Sequence, residues 1–290
     1  MIDVDVHAHL APVNAARLAT LPGAQWEQAS ESLTLDGHRI GMKALFHPKR
    51  LIARMDAHGI RKSLISIPPP LYRQSLDAAA ALVWTRYVNE EMSTIAASHP
   101  GRFGALFYLP LENISLLETL RQDFMQGQFE GFALAAGGHP DIIYSSPEYA
   151  DLWEWLQRER AFVFLHPGTC ADTRLAKFYL ENLVGNPVET GVAASHLVMA
   201  GIPARYPDIR FCLAHAGGIF SSLIGRLQRG FDTNRPNVNT TFEGPVDAAR
   251  RFYVDCIAHS PEALEHAKKM FGDSHVLYGS DWPFPMGLNH

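Results

Sequence analysis

The sequence predicts an α/β fold of the (β/α)8 barrel type, and three observations carry that prediction. Eight short apolar, β-branched or aromatic runs recur along the chain, separated by longer stretches with helical spacing. That alternation is the signature of parallel βα units. The length, 290 residues with 47% hydrophobic content, suffices for one such barrel. Histidine or aspartate ends or closely follows four of the runs, and the C-terminal strand ends are where a barrel does its chemistry.

The expected strands are IDVDV (2–6), SLISI (63–67), GALFYL (104–109), EGFALA (130–135), FVFLH (162–166), IRFCLAH (209–215), RFYVDC (251–256) and HVLYG (275–279). The helical stretches between them include KRLIARMDAHG, the long segment from Ser75 to Pro100, SLLETLRQDFMQ, SPEYADLWEWLQRE, ETGVAASHLVMAG, SSLIGRLQRGF and SPEALEHAKKMF. Several open on Ser and close near Gly or Pro, as capping chemistry favours. The interval 12–47 is too long for an ordinary βα loop and is expected as an insertion over the barrel mouth of a single 1–290 domain. PPPLYR (68–73) is expected to help shape the pocket or simply to pack. The chain stops at His290, nine residues after Asp281, which leaves no room for a full eighth helix, so either a shortened C-terminus or another cover over that face of the barrel is expected.

Composition narrows the function. A net charge of −5 with scattered Lys and Arg offers no basic surface for nucleic acid or an anionic membrane. No apolar run approaches the roughly 18 residues that span a bilayer, and the N-terminus lacks the pattern of a signal peptide. Cys170, Cys212 and Cys256 are odd in number and far apart, as expected of buried thiols in a cytoplasmic protein.

The chemistry is expected at the strand ends. Residues two apart on a strand share a face, so His7 and His9 of VDVHAHL leave the backbone in one direction. His166 ends the fifth run, His215 the sixth, and Asp281 follows the last in YGSDWPFP. Most of the 14 histidines are ordinary core or surface residues, but five such groups at strand ends point to a metal centre. Imidazoles with one carboxylate suit Zn²⁺, with Mn, Co or Fe as alternatives. A catalytic metal keeps one position open, so not all five are ligands and one histidine is left to act as acid and base.

In order and spacing, VDVHAHL, FLHPG, CLAHAGG and LYGSDWPFP resemble the metal-site motifs of the amidohydrolase superfamily, and in particular the branch of aminocarboxymuconate-semialdehyde decarboxylase and related metal-dependent decarboxylases. The resemblance implies His7, His9, His166 and Asp281 as ligands of one metal and His215 as the residue that handles the proton. EGFALAAGGHPD offers no lysine where binuclear relatives carry a carboxylated one. It further implies Arg39 as a substrate-carboxylate arginine and Arg226 as one contributed across a homodimer interface; a planar fork suits a carboxylate. The region of Phe178 and Tyr179 aligns only loosely with a segment that carries a substrate-facing tryptophan in some relatives. The activity so implied is nonoxidative decarboxylation of a small unsaturated or aromatic carboxylic acid. Hydrolysis or hydration of a lactone, ester, amide or unsaturated acid is the alternative within the scaffold, and a noncatalytic metal-binding barrel the alternative outside enzymes.

Overall fold

The computed structural model describes residues 2–288. Its main sheet contains eight strands arranged in chain order, the order of a (β/α)8 barrel. They are β1 (Ile2–His9), β2 (Ile60–Ser66), β3 (Phe103–Leu109), β4 (Gly131–Ala135), β5 (Phe162–His166), β6 (Arg210–Leu213), β7 (Tyr253–Asp255) and β8 (Val276–Leu277). All eight expected strands are present. The first runs three residues further than its apolar run because alternation continues through the two histidines, and the second begins three residues earlier. Gly59 explains the earlier start. It ends helix α1 (Pro48–His58) in the left-handed conformation, φ 66°, which glycine enters without a Cβ penalty, and β2 begins at the next residue.

Compactness divides the described chain into two units. One holds the residues up to Ala133 together with those from Tyr278 onward, and the other holds Leu134–Leu277.

In the first unit β1 pairs in parallel with β2, with a register shift between Asp5 and Ala8, and β2 pairs with β3. Every residue of β3 is buried, the near-continuous apolar pattern of a parallel sheet covered on both faces. Helix α2 (Ala78–Ala97) packs on this sheet and is capped by Asp77, which accepts from the Ala80 amide at 2.9 Å. Ser75 opens the expected stretch, yet the cap falls two residues on, where the carboxylate reaches a free amide. From α2, Asn89 accepts from the Tyr108 amide at 2.8 Å and donates to the Tyr108 carbonyl at 3.0 Å, both buried. A cluster of Phe107, Phe124, Phe129 and Phe132 seals α3 (Leu117–Gln126) to the sheet.

The interval 12–47 is not a loop but carries a three-stranded antiparallel sheet, Ala24–Glu27, Ser32–Leu35 and His38–Ile40. Arg73, at the end of PPPLYR, fastens it. Its guanidinium donates to both Asp36 carboxylate oxygens at 2.7 and 2.6 Å and to the Pro22 carbonyl at 2.8 Å. The insertion is thus tied to the loop that follows the C-terminal end of β2.

The second unit pairs β5 with β6, β6 with β7 and β7 with β8, all parallel. Its long helices are α4 (Ala150–Arg158), α5 (Asn186–Met199), α6 (Phe220–Asp232) and α7 (Pro261–Phe271). Trp153, Phe211, Phe220, Phe252 and Phe271 form a connected aromatic core. The cysteines correct one expectation. Only Cys212 is buried, within β6, while Cys170 and Cys256 lie beyond strand ends and are half-exposed.

Asn89 pairs with two buried backbone groups of Tyr108, an amide and a carbonyl, and removing the partner of a buried hydrogen-bonding group costs about 1–3 kcal/mol. Asn89→Ala is therefore expected to lower unfolding free energy by about 2–4 kcal/mol in urea titration. A loss below about 0.5 kcal/mol would show that the bracket is not structural.

Candidate metal centre

Three of the expected ligands meet within the first unit. β1 carries His7 and His9, both fully buried, and their Nε2 atoms lie 3.0 Å apart with the rings edge to face. Asp281 Oδ1 is 3.2 Å from His7 Nε2 and 3.4 Å from His9 Nε2. Two ligands of about 2.1 Å bond length are separated by roughly 3.0 Å at an octahedral angle and 3.4 Å at a tetrahedral one. The three donor atoms have the separations that a single small divalent ion imposes, so the residues present fit the group.

The backbone brings them together. The amide of Val6 donates to the Tyr278 carbonyl at 2.9 Å, that of Asp281 to the His7 carbonyl at 2.7 Å, and that of His9 to the Trp282 carbonyl at 2.8 Å. Ala8 and Trp282 form a parallel bridge. The segment after β8 thus runs as a further length of strand beside β1, and Asp281 arrives level with the two histidines.

Sequence reasoning missed the residues around this cluster. Ser66, at the end of β2, lies 3.1 Å from His9 Nδ1. It fixes the ring, as partners of metal-binding imidazoles do. Asp5, fully buried, accepts from the His7 amide at 3.1 Å, the Ser280 amide at 2.9 Å and the Ser280 hydroxyl at 2.7 Å. Burial pushes its pKa up to about 6 against these hydrogen bonds. The signal was present in DVDVH and GSD, where polar groups occupy inward strand positions next to the ligands.

The second unit holds the other two histidines. His166 is buried at the end of β5, its Nδ1 2.8 Å from the Pro167 carbonyl, which leaves Nε2 as the outward nitrogen. His215 follows β6 with its ring centroid 5.1 Å from that of His166. Asp255, at the end of β7, accepts from the amides of His215 at 2.9 Å, Ala216 at 2.8 Å and Ile257 at 3.0 Å.

The two arginines are placed differently. Arg39 lies on the third strand of the small sheet, where Nε donates to Ser32 Oγ at 3.1 Å and Nη2 stands 3.8 Å from Glu27, with its side chain 61% exposed. Arg226 is exposed on α6. Within the first unit, none of these contacts gathers Arg39 with His7, His9 and Asp281.

A (β/α)8 barrel with a buried His/Asp site for a divalent metal at its strand ends defines a class of metal-dependent enzymes. The amidohydrolase family profile matches residues 4–289, and the chain belongs to that family. It is 26% identical to 2-amino-3-carboxymuconate-6-semialdehyde decarboxylase of Dictyostelium discoideum, over 99% of this chain and 83% of that one. It is 30% identical to 6-methylsalicylic acid decarboxylase of Penicillium expansum, over 76% of this chain and 68% of that one. Among solved structures it is similar to 5-carboxyvanillate decarboxylase of Novosphingobium aromaticivorans in complex with manganese, with TM-score 0.79 and 16% identity over 98% of this chain and 87% of that one. The 2,6-dihydroxybenzoate decarboxylase of Rhizobium matches with TM-score 0.74 and 21% identity, over 98% and 88% of the two chains. The chain is accordingly a carboxy-lyase of the amidohydrolase superfamily.

One further group near the C-terminal strand ends titrates unusually. Glu112, in the loop after β3, has Oε2 buried with no partner among the described residues. Burial pushes its carboxyl up to about 7, opposed by hydrogen bonds from its own amide and Gln74. The folded protein therefore holds this proton more tightly than the unfolded chain. Stability should fall as pH rises from about 4.5 to about 7 and level off above, with roughly 2–4 kcal/mol between the two limits. Glu112→Gln should flatten that slope in urea titrations between pH 4.5 and 8 and be the more stable protein at pH 8. An unchanged slope would remove the assignment.

Proposed function

We propose that this chain is a nonoxidative decarboxylase of a small aromatic or unsaturated carboxylic acid, holding one divalent metal ion with His7, His9, His166 and Asp281. The observation that carries the proposal is the convergence of His7 Nε2, His9 Nε2 and Asp281 Oδ1 in a chain whose relatives are decarboxylases. Each of the four residues offers one ligand atom, three imidazole nitrogens and a carboxylate oxygen, a set that suits zinc. Manganese, bound in the carboxyvanillate decarboxylase, is the alternative metal.

When bound, the metal supplies Lewis-acid polarisation and a fixed template for the acid's oxygens. His215 delivers a proton to the carbon that bears the carboxylate, and the electrons for the new C–H bond come from the adjacent π system. The bond to the carboxylate then breaks, CO₂ leaves, and its electron pair restores the π system. Arg39 and Arg226 pair with substrate carboxylate through their planar forks, Arg226 across a homodimer interface. Arg39 must exchange its Ser32 contact for substrate to do so. The protein works in the cytoplasm; among the described residues no helix is long and apolar enough to cross a membrane.

The test is CO₂ release from a panel of hydroxybenzoic and unsaturated amino acids, with metal content measured in parallel. The wild-type chain should carry about one equivalent of zinc or manganese and release CO₂ from at least one acid. His215→Ala should keep the metal and lose roughly 10²-fold or more in kcat, whereas His166→Ala and Asp281→Ala should lose the metal. Hydrolysis of esters or lactones without CO₂ release would replace this proposal with the hydrolytic one.

A further inference from the structure

The residues proposed to carry the chemistry include two with left-handed backbones, Asp281 at φ 53° and His215 at φ 55°, the latter followed by Ala216 at φ 53°. A non-glycine residue pays on the order of 1–2 kcal/mol for that conformation and keeps it only where its surroundings hold it. In both places the holder is the same device, a buried aspartate on the adjacent length of strand.

At Asp281 the holder is Asp5. Its two oxygens take the amide and hydroxyl of Ser280, the residue before the turn, and the amide of His7. Ser63 Oγ on β2 adds a fourth contact at 3.5 Å. The Ser280 hydroxyl in turn accepts from the Trp282 amide at 3.2 Å. Asp5 and Ser280 therefore grip the backbone on both sides of Asp281 and the backbone of His7 at once.

At His215 the holder is Asp255. Both its oxygens are filled by backbone amides, those of His215, Ala216 and Ile257. Side chain Asp255 is completely buried, so each of those amides would otherwise face a low-dielectric interior. Three donors on one carboxylate fix the direction in which the His215 side chain leaves the turn.

We infer that Asp5 and Asp255 are positioning residues with separate duties, Asp5 setting the geometry of the metal ligands and Asp255 setting the reach of the proton-handling histidine. This rests on the ligand set and the role of His215 proposed above. It goes beyond them in assigning the two carboxylates different readouts, since a merely structural pair would disturb both functions together.

The experiment uses the full chain and three variants. Asp5→Asn places an amide against donors, Ser280→Ala removes only one hydroxyl while leaving Asp5 in place, and Asp255→Asn sets an NH₂ against backbone N–H groups. Mn²⁺ and Zn²⁺ affinities are read by chelator competition, the Co²⁺-substituted protein by its visible absorption, and CO₂ release as kcat and KM. Asp5→Asn and Ser280→Ala should weaken metal binding by about 10–100-fold and shift the cobalt bands. Asp255→Asn should bind metal within about threefold of wild type, keep its KM and lose about tenfold or more in kcat. Adding Ala216→Gly, which relieves the left-handed cost at that position, should restore part of that loss.

Wild-type metal affinity and cobalt spectrum in both Asp5→Asn and Ser280→Ala would overturn the first assignment. Equal loss of metal and turnover in Asp255→Asn, or failure of the Ala216→Gly, Asp255→Asn pair to fold or to recover turnover, would overturn the second and make Asp255 a structural residue. A wild-type chain that neither binds metal nor releases CO₂ would instead count against the proposed function itself.

Discussion

The structure depends on the pairing of the two ends of the chain, β1 against the segment that follows β8. Backbone hydrogen bonds from Val6, His9 and Asp281 across this seam, with the Asp5 carboxylate closing on Ser280, bring His7 and Asp281 together from 274 positions apart. Closing so long a loop has an entropic cost that grows only slowly with its length. It is met here by strand pairing and a buried, fully engaged carboxylate rather than by a covalent link. His7, His9 and Asp281 are therefore contributed by the two elements of this seam, and their separations are as well defined as the pairing itself.

Much of this was legible in the residues. Apolar runs bounded by turn signals locate all eight strands because buried parallel strands tolerate little else, as β3 with its seven buried residues illustrates. The convergence of His7, His9 and Asp281 was legible because imidazoles and a carboxylate at strand ends suit a shared ion. The boundaries were less so. Where β2 begins depends on the left-handed Gly59, and where α2 begins depends on which of Ser75 and Asp77 reaches an amide.

What stayed illegible shares one physical origin. Three-stranded pairing inside 12–47 is held by Arg73 from a distant loop, and no local pattern announces a partner 37 residues away. Cys256 ends an apolar run yet lies past the strand, half-exposed. Asp5 and Asp255 look in sequence like the polar half of an alternating strand, although both are completely buried. Only the donors that surround them, most of them supplied by segments distant in sequence, distinguish a solvated carboxylate from an internal brace.

That distinction bears on how a barrel divides its labour. A buried carboxylate is costly unless its lone pairs are filled, and here they are filled by the amides of turns that a side chain alone would not hold. The carboxylate supplies acceptors that replace those a regular ladder would have given. The same hydrogen bonds that satisfy the interior also fix where Asp281 and His215 emerge, and stability and the placement of these two side chains thus rest on the same few contacts.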